Sequence, residues 1–234
     1  MAVETEVVAL DRSSRERLNP IRLGGIAGLF VVGSALVLNV VAIAPAPAFD
    51  APPGEISTYV SEQAGNLAVS DTLRYVVAIL VPLFAIGLHR FVSGAVDGAH
   101  RAWALLGVVG AIWISAVGTV ANSVEVAGVW QIEALLDDPQ LLRSIWSFGG
   151  TLFIAASLAW GTLVLGFSVA AYLTGVVPRW LTVLGAATVA TCYTGGIGVV
   201  SVLNGGWAEG PWLASILLFS LWVISTSVVM IRRS

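Results

Sequence analysis

Residues 103–130 read WALLGVVGAIWISAVGTVANSVEVAGVW, and this stretch decides the fold. It contains one ionisable side chain, Glu125, and it exceeds the roughly 20 apolar residues that a helix needs to cross the hydrocarbon core of a bilayer. Its apolar residues run continuously, without the strict alternation of a membrane β-barrel strand. The stretch therefore predicts a membrane-spanning α-helix that begins and ends at a tryptophan.

Five further stretches have the same apolar character. The chain is 57% hydrophobic and only 11% charged, with a mean hydropathy of +0.91, whereas an ordinary soluble domain is about 25% charged. The predicted spans are residues 23–44, 72–91, 103–130, 145–173, 180–203 and 211–231. We therefore predict an all-α, polytopic membrane protein with six transmembrane helices in one bundle (residues 20–234), preceded by a cytoplasmic N-terminal tail (residues 1–19).

The distribution of arginine predicts the orientation. All eleven basic residues are arginines, and nine of them fall in the tails and in the connections on one side of the six spans. The positive-inside rule makes that side cytoplasmic, so both termini are expected there. The arginine-rich, lysine-free composition is typical of a bacterium with a high-GC genome, so we expect a multi-pass protein of the bacterial inner (cytoplasmic) membrane.

Several classes of chemistry are excluded by composition. The absence of lysine rules out a Schiff-base or pyridoxal site. The single cysteine, Cys192, rules out an intramolecular disulfide or a cysteine-rich metal site. The two histidines have no third ligand nearby, and the net charge of −3 gives no basis for a nucleic-acid partner. We expect no cofactor, no metal and no catalytic motif.

One face of the third span is polar. Ser115, Gly118, Asn122 and Glu125 follow three- and four-residue steps, so they share a helix face that we expect to point into the bundle. A carboxylate near the outer end of a span needs a partner. Asn39 near the outer end of the first span, Tyr193 in the fifth span and Asn204 at the end of the fifth span could join this group. The candidate ligand-binding residues are Asn39, Arg74, Asn122, Glu125, Arg143, Tyr193 and Asn204.

The polar residues admit three interpretations. In the first, Glu125 forms an ion pair with Arg74 or Arg143, the only arginines on the outer side, and locks helix ends together. In the second, the third span protrudes and Glu125 is solvated at the headgroups. In the third, an outward-facing site holds a ligand, with Arg74 or Arg143 binding an anionic headgroup or carboxylate.

Small residues and connections complete the pattern. Glycines recur in the first, fourth and fifth spans, which favours close helix packing or an oligomer through glycine-rich faces. The alternative for residues 192–196 is an unwound segment that lines a cavity. We expect a short surface helix within residues 55–68, and we expect residues 131–143 to lie on the membrane interface.

Three segments also carry a family resemblance: residues 22–29 (RLGGIAGL), 66–74 (NLAVSDTLR) and 176–185 (VVPRWLTVLG). With the span order and loop lengths, they resemble a bacterial family of six-span integral membrane proteins catalogued only as a domain of unknown function. The resemblance implies a six-helix membrane protein and supplies no activity.

Three functions remain open. The first is binding, or helping to move, a small amphiphile or membrane lipid at an outward-facing polar pocket. The second is a structural or accessory subunit of a membrane complex that holds no ligand. The third, an enzyme using Glu125 as acid or base, requires a second reactive group beside that carboxylate, and Tyr193 and the outer arginines are the candidates.

Overall fold

The computed structural model describes residues 19–41, 46–49, 51–94 and 98–234, without the side chains of residues 38–41 and 132. All regular structure within this part of the chain is α-helical. The helices are α1 (Pro20–Val41), α2 (Pro53–Ser93), α3 (His100–Trp130), α4 (Ile132–Leu136), α5 (Pro139–Thr174), α6 (Arg179–Ile197), α7 (Val199–Leu203) and α8 (Glu209–Arg233).

Six of these helices, α1, α2, α3, α5, α6 and α8, are long and apolar enough to cross a membrane. The prediction of six spans is therefore confirmed. Each helix packs against its neighbour in the sequence, and α8 returns to α1, so the six form a closed bundle. Helix α5 is the central one: its most apolar window is 56% buried, against 33% for each of the others.

The two ends of the bundle differ in charge. We name the end that carries Arg22, Arg90, Arg179 and Arg232 the arginine-rich end. The opposite end, named the acidic end, carries Glu55, Glu62, Glu125, Glu133, Asp137, Asp138 and Glu209. Contacts between the end of α2, the start of α1 and the end of α8 place Arg22, Arg90 and Arg232 together. Arg233 donates to Val176 O, three residues before Arg179, which places the connection to α6 at the same end.

Helix α2 differs from the sequence prediction. We expected a separate surface helix within residues 55–68, but the chain forms one continuous helix from Pro53 to Ser93. At 1.5 Å per residue its 41 residues measure about 60 Å, roughly twice the hydrocarbon thickness. The polar first half of α2 therefore projects beyond the apolar part of the bundle at the acidic end.

The connection between α3 and α5 also differs from the prediction. Residues 131–143, expected to lie along the interface, fold into α4 and the first turn of α5. Asp138 caps α5 by accepting a hydrogen bond from Leu141 N at 3.1 Å. Leu135 and Leu142 are buried in a small core with Ile56 and Val60 of the projecting half of α2. Burial of these leucines packs α4 and the first turn of α5 against the projecting half of α2.

Glycine permits the closest helix approaches. A Cβ on Gly24 of α1 would stand 2.6 Å from the Cα of Gly87 in α2, which is too close for any side chain. The same holds where α3 crosses α5 at Gly107 and Gly166. Close backbone approach through small residues is the usual basis of helix association in lipid.

Residues 192–196 do not form an unwound segment, because α6 continues as a helix to Ile197. Gly195 and Gly196 are buried, and they pack against Trp212 of α8 and Leu158 of α5. The glycines of this segment therefore serve close packing, the first of the two expectations.

The outer surface of the helices is apolar. Large hydrophobic side chains are exposed on every spanning helix, among them Phe30 (62%), Ile79 (66%), Val183 (69%) and Leu217 (73%). Exposure on this scale would make a protein aggregate in water, whereas a bilayer covers it. The helices therefore present their sides to lipid.

Candidate functional site

The polar face of α3 packs against α2. The three- and four-residue spacing predicted that this face points into the bundle, without specifying the neighbouring helix. Three hydrogen bonds link the two helices: Ser115 Oγ to Ala78 O at 2.8 Å, Asn122 Nδ2 to Asp71 O at 2.8 Å, and Tyr75 Oη with Ser123 Oγ at 3.0 Å. We name this set the polar ladder. Gly118 makes no close contact, because a Cβ there would meet nothing within 4 Å.

An ionic cluster of Asp71, Arg74 and Glu125 ends the ladder at the acidic end. The guanidinium Nη1 of Arg74 donates to Glu125 Oε2 and lies 3.5 Å from Asp71 Oδ1. Glu125 therefore pairs with Arg74, one of the two arginines predicted as its partner. The cluster lies at one boundary of the apolar region, because Arg74 and Arg90 are separated along α2 by about 24 Å of helix rise.

The cluster leaves some oxygen atoms without a donor. The residues Asp71 and Asn122 are both buried, each with 2% of its surface exposed. Among the described residues, neither Asp71 Oδ2 nor Asn122 Oδ1 has a hydrogen-bond partner. With Glu125, these atoms make the α2–α3 contact rich in acceptors, while Arg74 is its cation.

Beside the ionic cluster lies a cleft between α2, α3 and α5, which we name the acidic-end cleft. It holds about 360 Å³ of empty space, including its open mouth. Its walls are apolar except for the carboxylate of Glu125. The lining residues are Val60, Leu67, Glu125, Gly128, Val129, Leu142, Ile145 and Trp146.

Glycine leaves room at two places around this cleft. Gly128 lines it directly, and a Cβ there would make only an ordinary contact of 3.5 Å with Ile145. Gly149 of α5 faces Glu125, whose Oε1 would stand 3.7 Å from a Cβ on that glycine. Glu125 therefore presents one oxygen to Arg74 while its side chain forms part of the cleft wall.

Two predicted site residues lie elsewhere. Tyr193 pairs its hydroxyl with Thr162 Oγ1 at 3.2 Å, in the α5–α6 contact. Thr162 is about 20 Å of helix rise along α5 from Gly149, the residue that faces Glu125. Asn204 is exposed and donates to Val200 O of its own turn at 2.8 Å. The structure does not bring these two residues to Glu125, because position along a span does not fix the direction in which a side chain points.

The remaining predicted residues are two. The side chain of Asn39 lies outside the described residues. Arg143, in the first turns of α5, is partly buried next to the cleft residue Leu142 and is engaged in an interaction of its own. The structure thus brings together Arg74, Asn122 and Glu125.

Sequence reasoning missed the partners on the cleft wall. Trp146 and Gly128 line the cleft, and Tyr59 packs edge-on against Trp146 with ring centroids 5.6 Å apart. In the sequence Trp146 is only the second residue of a predicted span, and Gly128 resembles every other helix glycine. Asp71 lies just before a predicted span, and its burial could not be read from that position.

Two observations bear on catalysis and metal binding. Arg74, one of the candidates for a second reactive group, contacts Glu125, whereas Tyr193, another candidate, is remote from it. The hypothesis of an enzyme therefore stays a prediction. Within the described ranges, His, Cys, Asp and Glu form no group of three that would hold a metal ion. What the site offers is a half-buried carboxylate beside an apolar cleft.

Fold and site together define the class: a polytopic α-helical membrane protein with a polar contact and a cleft at one end of its bundle. No protein-family model, curated protein or solved structure matches the chain.

Proposed function

We propose that this protein binds, or helps to move, a membrane lipid or other small amphiphile in the acidic-end cleft. The observation that carries the proposal is the wall of that cleft: seven residues without charge and one carboxylate, Glu125. Ligand sites are typically concave and mostly apolar, with a few polar groups that orient the ligand. An amphiphile needs this combination, since its tail takes the apolar walls and its head stays beside Glu125.

The position of the cleft supports the same function. The ionic cluster lies where the apolar part of α2 begins, so the cleft stands at the level of lipid headgroups. A molecule already dissolved in the bilayer therefore reaches it without crossing the hydrocarbon core.

We further propose that the acidic end faces outward from the cytoplasmic membrane of a bacterium, so that the cleft opens outward. The support is the concentration of arginine at the opposite end, because the positive-inside rule places arginine-rich connections in the cytoplasm. The resemblance to a bacterial six-span family stays a prediction and adds no activity.

The test fills the cleft without disturbing the ionic cluster. Gly128→Leu adds a side chain inside the cleft, and Gly118→Leu on the same helix is the matched control, because Gly118 has open space around it. Native mass spectrometry of protein extracted in a mild non-ionic detergent counts the lipid molecules retained. We expect the parent and Gly118→Leu to retain a lipid and Gly128→Leu to lose it, with similar unfolding temperatures for all three. Equal retention by the Gly128 and Gly118 variants would overturn the proposal.

A second candidate function is supported by the ionic cluster itself. Arg74 satisfies Glu125 and approaches Asp71, and Asn122 donates to the Asp71 carbonyl, so these groups also serve as a lock between α2 and α3. An accessory subunit without a ligand needs only such a lock. It predicts that no lipid survives extraction in any variant, and that Arg74→Ala lowers the unfolding temperature.

A further inference from the structure

We infer that the amphiphile accepted by the acidic-end cleft carries a positive charge, such as an alkylammonium headgroup. The inference rests on the proposed function and specifies its ligand class. It replaces the expectation that an arginine at this site binds an anionic headgroup.

The first reason is that the nearby cation is already paired. Arg74 donates to Glu125 and lies 3.5 Å from Asp71 Oδ1, so one guanidinium faces two carboxylates. Both contacts use Nη1, and an anionic headgroup bound to the other N–H groups of Arg74 would stand beside two carboxylates that repel it. A cation meets the opposite situation, since the ionic cluster carries an excess negative charge.

The second reason is the overall charge of the acidic end. In the part of the chain that the structure describes, the acidic end carries eight carboxylates and two guanidinium groups. The carboxylates belong to Glu55, Glu62, Asp71, Glu125, Glu133, Asp137, Asp138 and Glu209, and the guanidinium groups to Arg74 and Arg143. A predominantly negative surface raises the local concentration of cations and lowers that of anions.

The third reason is the aromatic wall. Trp146 lines the cleft together with Glu125, and Tyr59 packs edge-on against Trp146 and fixes its ring. An indole face attracts organic cations through its quadrupole, most strongly where water is excluded. The carboxylate and the indole face complement an alkylated ammonium group. The indole N–H, the one side-chain donor of the cleft wall that would suit an anion, is buried and has no partner among the described residues, so it does not reach the open part of the cleft.

The experiment compares three amphiphiles with the same alkyl chain: decyltrimethylammonium, decanesulfonate and neutral decyl glucoside. Binding to the full-length protein in nanodiscs is measured by titration calorimetry, and partition into lipid is subtracted with nanodiscs that carry no protein. We expect the ammonium compound to bind at least about tenfold more tightly than the sulfonate, the effect of one charge-assisted contact.

Two variants and a control assign the preference to the cleft. Glu125→Gln is expected to reduce the preference for the cation to below about threefold. Trp146→Leu does not change a residue of the ionic cluster. It should lower the affinity for the ammonium compound about threefold more than the affinity for the glucoside. Glu209→Gln removes an exposed carboxylate at the same end but outside the cleft, and should leave the preference unchanged.

The outcomes separate the inference from the proposed function. If all three amphiphiles bind equally, or the sulfonate binds most tightly, the inference of a positively charged ligand is wrong, while the proposal that the cleft binds an amphiphile stands. If none of them binds, both proposals fail. If Glu209→Gln abolishes the preference as fully as Glu125→Gln, the preference arises from the overall charge of the acidic end, and the assignment to the cleft is overturned.

Discussion

The hydroxyl of Ser115 donates a hydrogen bond at 2.8 Å to the carbonyl oxygen of Ala78 on the neighbouring helix α2. That carbonyl is the one left without its usual partner, because the residue four positions later is Pro82, which has no N–H. Ser115 also lies 3.1 Å from the Ala111 carbonyl of its own helix. A proline inside a membrane helix is thus tolerated because a side chain from the adjacent helix serves the free acceptor.

This relationship predicts an interaction between two substitutions. Ser115→Ala should lower the free energy of unfolding by about 1 kcal/mol, because it leaves the Ala78 carbonyl without a donor. In a Pro82→Ala background, which restores the backbone N–H at that position, the same serine substitution should cost roughly half as much or less. Unfolding in mixed micelles by SDS titration measures both. Thr191→Ala is the control, since Thr191 bonds only within its own helix; equal costs in both backgrounds would contradict the pairing.

The ionic cluster predicts unequal effects for its members. Arg74→Ala leaves both Asp71 and Glu125 without a cation, whereas Glu125→Gln leaves Arg74 near Asp71 and keeps an acceptor at position 125. Since Arg74 is partly exposed, we expect the arginine substitution to cost about 1–2 kcal/mol and the glutamine substitution less than half of that. Thermal unfolding in detergent compares them. A larger loss for Glu125→Gln would show that Glu125 has more partners than Arg74.

Close helix approach predicts a position-dependent effect of one methyl group. Gly24→Ala should destabilise the bundle by about 1–3 kcal/mol, because the new Cβ would stand 2.6 Å from the Gly87 Cα. Gly33→Ala on the same helix meets nothing within 4 Å and should be neutral or slightly stabilising, since alanine is the better helix former. Unfolding midpoints of the two variants test this. Similar midpoints would mean that α1 and α2 separate easily at this contact.

The single cysteine predicts a clean labelling experiment for orientation. Cys192 has no exposed surface and should stay unreactive towards a membrane-impermeant maleimide until the protein unfolds. A cysteine placed at exposed Glu62 should therefore be labelled in intact cells, while one at exposed Arg179 should need permeabilised cells. The reverse pattern would place the acidic end in the cytoplasm.

Much of the fold follows from the sequence because lipid imposes a simple length requirement. The third span was predicted to cover 103–130, and α3 runs from His100 to Trp130. The first half of α2 was predicted as a separate surface helix, and not as part of the spanning helix, because it is polar. Its helix is held by contacts distant in sequence, such as Ile56 and Val60 against Leu135 and Leu142, which no local pattern contains.

The site was predictable only as far as helix periodicity reaches. Spacing placed Ser115, Asn122 and Glu125 on one face, and that face proved to contact α2. Spacing cannot choose which neighbour a helix faces or how it is rotated, so it could not show that Tyr193 and Asn204 lie apart from Glu125. The cleft lies where three helices meet beside Gly128, and its lining residues could not be predicted from the pattern of any one helix.

The unbroken length of α2 has a mechanical consequence. Val60 and Leu67 on the cleft wall belong to the same helix as Gly87, which is clamped against Gly24 at the far end of the bundle. This side of the cleft is one continuous helix rather than a loop, so the cleft widens here only if α2 swings about Gly87 or bends at Pro82, where one helical hydrogen bond is missing. With Gly87 as fulcrum, the arm to Val60 is about 40 Å, so a swing of about 5° carries the wall through about 3.5 Å. A change of a few degrees at one end of the bundle would therefore shift the cleft wall by several ångströms at the other end.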